Sequence, residues 1–220
     1  MLLDIFSVVG TYSVKPKEQY TTDNAEKSRI LHDIFFPPPG DPPDVPDNFD
    51  FPREKFKFKG ITRNLIRSVV AGLKCYKAPG QDEVPNEVFK WCIDLLLPFL
   101  FRIFQASIKL GIYADDWKVS RSCVLRKPGR DNYSLANSFR PIALLICIAK
   151  ILSACVAKIL TIQSERLSLI SNQHFLGRPG RTCSDSLHFI TSTIKDAWRR
   201  KDVASVLFLD VKAAFPTPER

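Results

Sequence analysis

Apolar side chains recur at helical spacing from residue 62 onward. Leu65, Ile66, Val69, Val70 and Leu73 follow Thr62, whose hydroxyl can cap a first turn, so the spacing predicts a helix. Lys77-Ala78-Pro79-Gly80 ends it in a turn. Pro85 suits the first position of a second helix, with Val88, Phe89, Cys92 and Leu95 on one side. Pro98 is expected to break or kink that helix, and Phe99 to Leu110 carries on to a stop at Gly111. Val119 to Arg126 reads as a strand, Lys127-Pro128-Gly129 as a turn, and Phe139 to Leu145 as the returning strand. A long helix is expected over Cys147 to Gln163, then a basic loop, Gly177-Arg178-Pro179-Gly180-Arg181. Thr182 or Ser184 can cap a last helix reaching Arg200, with Leu187, Ile190, Ile194 and Trp198 inward. The continuous apolar run Val203 to Leu209, ending at Asp210, has the pattern of a buried central strand.

The N-terminal part differs. A helix-like segment, about Asn24 to Phe36, leads into prolines at 37, 38, 39, 42, 43, 46 and 52, interleaved with aspartates. That composition predicts an extended, solvated linker. The chain therefore divides into a leader and linker, 1–52, and a body, 53–220.

Charge follows the same division. The chain has 32 Lys+Arg and 23 Asp+Glu, a formal +9. Residues 1–50 hold four basic and nine acidic side chains, so the excess lies in the body, at +14. A basic body with an acidic leader suggests a polyanionic partner, nucleic acid first. Cysteines 75, 92, 123, 147, 155 and 183 form no CxxC pair and do not cluster with His32, His174 or His188, which argues against zinc. Met1-Leu2-Leu3-Asp4 lacks the basic start of a secretory leader, so reduced thiols in a nuclear or cytoplasmic setting are expected. Pro141 to Ile162 is nearly long and apolar enough to span a membrane, but Lys150 and Lys158 lie on one face. A buried helix with one wet stripe explains it better.

Two features can carry chemistry. A buried strand delivering Asp210 at its C-terminal end would fix a carboxylate at a sheet edge, where a hard cation such as magnesium takes oxygen ligands. Arg126, Lys127, Arg130 and Arg140 bracket the hairpin, and Arg178 and Arg181 lie in the glycine loop. Such groups can clamp a triphosphate or a phosphate backbone. The bland alternatives are a turn-capping aspartate and a solvated basic face.

Several segments, in order, resemble the reverse transcriptase domain of LINE (non-LTR retrotransposon) elements, most like those of fungi. They are Phe35-Phe36-Pro37-Pro38-Pro39; Tyr76-Lys77-Ala78-Pro79-Gly80-Gln81-Asp82 with Pro85-Asn86; Trp117 with Val124-Leu125-Arg126-Lys127-Pro128-Gly129-Arg130; Phe139-Arg140-Pro141-Ile142-Ala143-Leu144-Leu145; Gly177 to Thr182 with Asp185-Ser186-Leu187-His188; and Ile194 to Arg200 with Val203 to Asp210. The resemblance implies an α+β fold: reverse transcriptase fingers, mostly helical with a small antiparallel hairpin, plus the first strand of a palm sheet. It implies RNA-templated addition of dNTPs to a primer 3′-hydroxyl, with Mg2+ as cofactor and RNA template, RNA–DNA duplex and dNTP as partners. By position, Asp210 would be catalytic and bind metal with the Val211 carbonyl. Phe215 would be the steric gate under the sugar. Lys127 and Arg140 would contact the dNTP triphosphate, and Arg178 and Arg181 the template strand.

The sequence departs from the pattern at Gln81, where proline is usual, and at Glu83 and Leu176, where glycine is usual. Glu83 lacks glycine's easy access to positive φ. Tyr113-Ala114-Asp115-Asp116 spells the YADD of the second catalytic segment, but it precedes Asp210 and follows a helix stop, so both aspartates read as turn or N-cap residues. Pro216 to Arg220 cannot carry a second catalytic hairpin. The expectation is a fragment lacking the second Asp-Asp pair and the remaining palm and thumb, inactive alone. The alternatives are a non-catalytic basic nucleic-acid-binding remnant and a small basic helical protein without that role.

Overall fold

The computed structural model describes residues 23–37, 53 and 56–209. Its elements in chain order are α1 (Asn24–Phe35), α2 (Arg63–Ala71), α3 (Asn86–Trp91), α4 (Ile93–Leu110), α5 (Asp115–Lys118), β1 (Arg121–Arg126), β2 (Phe139–Leu144), α6 (Cys147–Arg166) and α7 (Cys183–Arg199). The described chain is helix-rich, and β1 and β2 form a two-stranded antiparallel hairpin, compatible with an α+β class. Of the described residues, 23–37 and 125–140 fall in one compact unit and the rest in another. The boundary cuts the hairpin, leaving its tip in the first unit and its base in the second.

The core belongs to the second unit. Ile66 and Val70 of α2, Phe89 of α3, Leu97, Leu100 and Phe104 of α4, and Cys147, Ile151, Leu152 and Cys155 of α6 are buried together. Positions four apart on α6 stack on one face, which puts Cys147, Ile151 and Cys155 in a single row. Polar links tie the helices. Arg67 meets Asp94 at 2.6 Å, Lys158 Nζ donates to Ser68 Oγ at 2.8 Å, and Lys90 Nζ donates to the Leu73 carbonyl at 2.8 Å. By length and composition α6 is able to cross a membrane. Here its N-terminal half lies in the core beside α2 and α4.

Local signals fix the helix ends. Thr62 Oγ1 accepts from Leu65 N at 3.2 Å, and Gly111, at φ +65°, closes α4. Thr182 and Asp185 form a reciprocal capping box on α7.

Several expectations need correction. Pro85 is the N-cap of α3 and not its first residue. Pro98 lies inside α4; the discontinuity sits six residues earlier, at Cys92. That restart moves the inward stripe from 88–95 to Leu97, Leu100 and Phe104, leaving Val88, Cys92 and Leu95 exposed. On α7, Leu187 and Trp198 face outward and Ala197 is buried. Val203 to Leu209 forms no strand and is exposed throughout. A central strand needs hydrogen-bonding neighbours on both edges, and the described residues contain no second sheet.

The turn between α2 and α3 packs closely on the start of α6. A Cβ on Gly80 would lie 2.5 Å from Ile146 N and 2.6 Å from Ile146 Cα, so only glycine fits. The turn is pinned by Asn86 Nδ2 donating to the Lys74 carbonyl at 2.8 Å, and by the Tyr76 N–H donating to the buried Glu87. Glu83 adopts φ +56°, the conformation that favours glycine. Left-handed backbone costs a side-chain-bearing residue roughly 1–2 kcal/mol, partly offset by glycine's larger unfolded-state entropy. Glu83→Gly is therefore expected to stabilise the chain by about 0.5–1 kcal/mol, since the exposed 3.6 Å pair with Arg121 is worth little. Gly80→Ala should instead destabilise by about 1–3 kcal/mol, because backbone must move. Paired urea melts check both, and a Glu83→Gly midpoint at or below the parent would refute the strain argument.

Candidate nucleic-acid interface

The sequence-predicted site residues fall in three places. Lys127 and Arg140 belong to the hairpin tip, Arg178 and Arg181 to the loop between α6 and α7. Asp210, Val211 and Phe215 lie outside the described residues.

The tip, 125–140, is a basic turn with an internal frame. Lys127 N donates to the Ser138 carbonyl at 2.8 Å, extending the ladder one step past β1. Ser138 is buried and its hydroxyl donates to the Asn132 carbonyl at 2.5 Å. Tyr133 Oη donates to the Lys127 carbonyl at 2.7 Å, its ring lies edge-on to Phe139, and the Arg126 guanidinium sits 5.2 Å from its centroid. A stacked guanidinium keeps its charge while its position is set by the ring. Lys127 Nζ donates to the Asn137 carbonyl at 2.7 Å, and Arg130 and Arg140 are exposed. The tip thus carries Arg126, Lys127, Arg130 and Arg140 against one acid, Asp131.

The loop after α6 is organised by its two arginines. Arg178 reaches back to Glu165 in the last turn of α6, with Nε to Oε1 and Nη2 to Oε2 both 2.7 Å. Its Nη1 donates to the Ser171 carbonyl at 2.7 Å and to the His174 carbonyl at 3.3 Å. Only 7% of the Arg178 side chain is exposed. Arg181 donates to the Asn172 carbonyl and lies 5.4 Å over the Phe175 ring, which packs on Phe189 of α7. An irregular loop leaves carbonyls without ladder partners, and a guanidinium fork can satisfy several at once. The Arg178 hydrogen bonds, with its positive charge, hold the Glu165 carboxyl below the usual carboxylate range. The Thr182 hydroxyl and N–H do the same for Asp185. Sequence reasoning missed Glu165; an acid in the last turn before a glycine-rich basic loop is the signal that would have found it.

Asp115 and Asp116 open α5. Asp115 pairs with Lys118 at 2.7 Å and both aspartates face solvent. Tyr113 meets Trp117 edge-on, and Trp117 meets the core residue Phe104 in the same way. The segment is thus a turn that seats Trp117. Among the described residues no three His, Cys, Asp or Glu side chains group as a metal site. Burial pushes the Cys147 and Cys155 thiols up to about 11, which leaves them protonated and inert.

No protein-family model matches the chain. It is 29% identical over 150 residues to the probable RNA-directed DNA polymerase from transposon X-element of Drosophila melanogaster, covering 68% of this chain and 16% of that protein. It is 29% identical over 158 residues to the one from transposon BS of the same fly, covering 71% and 17%. It is 26% identical over 155 residues to the polymerase from mobile element jockey, again of D. melanogaster, covering 70% and 17%. The chain therefore spans no more than 17% of each of these curated relatives. These comparisons agree with the resemblance to RNA-directed DNA polymerases of LINE-type, non-LTR retrotransposons.

Two outcomes are expected. Changing Asp115 and Asp116 together to Asn should leave magnesium affinity unaltered by isothermal titration; lost binding would make them ligands. The second concerns acid. A carboxyl whose folded pKa is depressed stabilises the fold above its unfolded pKa, and that contribution is lost as pH falls through the folded value. Glu165 and Asp185 are both of this kind. Amide exchange in 171–185, corrected for intrinsic rate, should be constant from neutral pH to roughly pH 4 and accelerate below it. Acceleration already between pH 7 and 5 would contradict the assignment.

Proposed function

We propose that the chain is the fingers region, with the segment leading into the palm, of an RNA-directed DNA polymerase of a LINE-type retrotransposon, and that its described part grips nucleic acid and nucleotide. The observation that carries this reading is the hairpin tip. Four basic side chains stand on or beside a hydrogen-bonded turn with one acid, and two of them, Lys127 and Arg140, are where the resemblance expects contacts to the triphosphate. The arrangement suits a polyphosphate, since Arg126 is set by the Tyr133 ring and Lys127 by the Asn137 carbonyl, and groups already positioned need little reordering on binding. The resemblance assigns Lys127 and Arg140 to the dNTP triphosphate and the loop that carries Arg178 and Arg181 to the template side. The fungal affinity rests on the Phe35 to Pro39 segment of the sequence.

The described residues do not by themselves offer a magnesium cage, because their carboxylates do not cluster. The metal reading rests on Asp210 and the Val211 carbonyl, and the gate on Phe215, all from the resemblance. The exposed, unpaired run 203–209 favours the second reading for the chain by itself: it binds nucleic acid without extending a primer. A nuclear or cytoplasmic site of action fits either.

Binding to single-stranded RNA and to RNA–DNA duplex should be weakly sequence-selective and salt-sensitive. If four basic side chains in all each neutralise one phosphate of a single strand, affinity falls roughly 50-fold between about 50 and 200 mM salt. Fluorescence anisotropy with labelled RNA measures it. No binding at low salt, or binding indifferent to salt, would refute the reading. With a primed RNA template and dNTPs, the chain alone should add no nucleotide, and extension abolished by Asp210→Asn would decide for the enzyme.

A further inference from the structure

The resemblance gives Arg178 and Arg181 one shared role, but the two side chains are in different physical situations. Arg178 is almost wholly buried, and its Nε, Nη1 and Nη2 are all engaged, two of them on the Glu165 carboxylate. Its charge is neutralised by a bidentate pair of good geometry, the kind of ion pair that holds a position. To reach a phosphate it would have to give up a carboxylate that is itself only about a third exposed and leave two carbonyls without their donor. Arg181 has one carbonyl partner and a ring beneath it, and no carboxylate lies within ion-pair distance among the described residues. Four of its five N–H donors remain for a ligand.

We propose that Glu165 and Arg178 form a positioning latch: the pair ties the loop to the end of α6 and sets it so that Arg181, and not Arg178, meets a nucleic-acid phosphate. The proposal deepens the nucleic-acid reading and rests on it for the phosphate. The latch itself is independent of that reading. The route of the chain supports it. Gly177 and Gly180, at φ +69° and +70°, turn the loop on either side of Arg178, and the Arg181 N–H donates to the Arg178 carbonyl at 3.3 Å. Moving Arg178 therefore moves the backbone that carries Arg181. Phe175, under the Arg181 guanidinium, rests on Phe189, so α7 fixes the other side.

Three single variants of the full chain separate the possibilities: Glu165→Gln, Arg178→Met and Arg181→Met. Each is read by amide exchange of 171–181 without RNA, and by the dependence of RNA affinity on salt with a labelled single-stranded RNA. Arg181→Met should lower the log–log salt slope by about 0.7, one phosphate's worth on a single strand. Arg178→Met should leave that slope unchanged while weakening binding at every salt concentration and speeding loop exchange. Glu165→Gln is the decisive variant, since it is nearly isosteric and should fold even if Arg178→Met does not. A latch predicts faster loop exchange and weaker binding. An Arg178 that meets phosphate predicts the opposite, tighter binding with a steeper slope, because its competing carboxylate charge is gone. Unchanged loop exchange in Glu165→Gln, a slope lowered by Arg178→Met, or a slope untouched by Arg181→Met would each overturn the proposal. Absence of RNA binding by the parent chain would sink the functional reading alone, and loop exchange would still test the latch.

Discussion

The N-terminal half of α6 is the constraint on which the larger unit depends. Cys147, Ile151 and Cys155 occupy one row of the helix and are buried beside α2 and α4. Because β2 ends three residues before α6, burial of that row also fixes where the base of the hairpin leaves the core. The turn carrying Gly80 packs against the backbone just ahead of it, at a distance that excludes a Cβ. At its other end α6 leaves the core and presents Glu165 to the next loop. A shift of α6 by one residue would swing that carboxylate by about 100° and release Arg178.

The sequence made legible what is decided locally. The caps at Thr62 and Thr182 need only a hydroxyl and the turn that follows, the stop at Gly111 needs only a left-handed backbone after the turn that precedes it, and each lies where the residues imply. The hairpin was legible for the same reason, since its turn chemistry sits between two apolar runs. Burial faces were not. The proline at 98 is loud in the sequence, but the break falls at Cys92, and the inward stripe after it belongs to a new helix. Leu187 and Trp198 have helical spacing that suits a core, yet spacing fixes a face and not what covers it. Glu165 and Arg178 are thirteen residues apart with irregular chain between them, and no periodicity links such a pair.

The basic excess is used in more than one way, so a count of charge overstates what is offered to a partner. Arg178 serves as an internal donor and is neutralised. Arg126 is laid over a ring. Lys127 spends a donor on a carbonyl of its own turn, and Arg199 and Arg200 pair with neighbouring aspartates. Arg130, Arg140 and Arg181 are left with fewer internal ties, and they lie on turns and a strand edge, where a phosphate backbone can approach without burying apolar surface.

The run from Val203 to Leu209 carries the last step. Val203, Leu207, Phe208 and Leu209 are each at least 80% exposed, a poor use of apolar residues for a chain in water. Each such side chain forgoes about 1.5–3 kcal/mol that burial would supply. An apolar run of this length with no polar alternation reads as a strand covered on both faces, and an uncovered one is a ready template for pairing. Trp198 and Leu187 of the preceding helix are exposed as well. Since the chain spans no more than 17% of the relatives it matches, the surface that would cover this run in a longer protein need not lie in these residues. The physical consequence is that, among the described residues, the buried positions end at Ala197, and the run 203–209 is covered only by gaining neighbours.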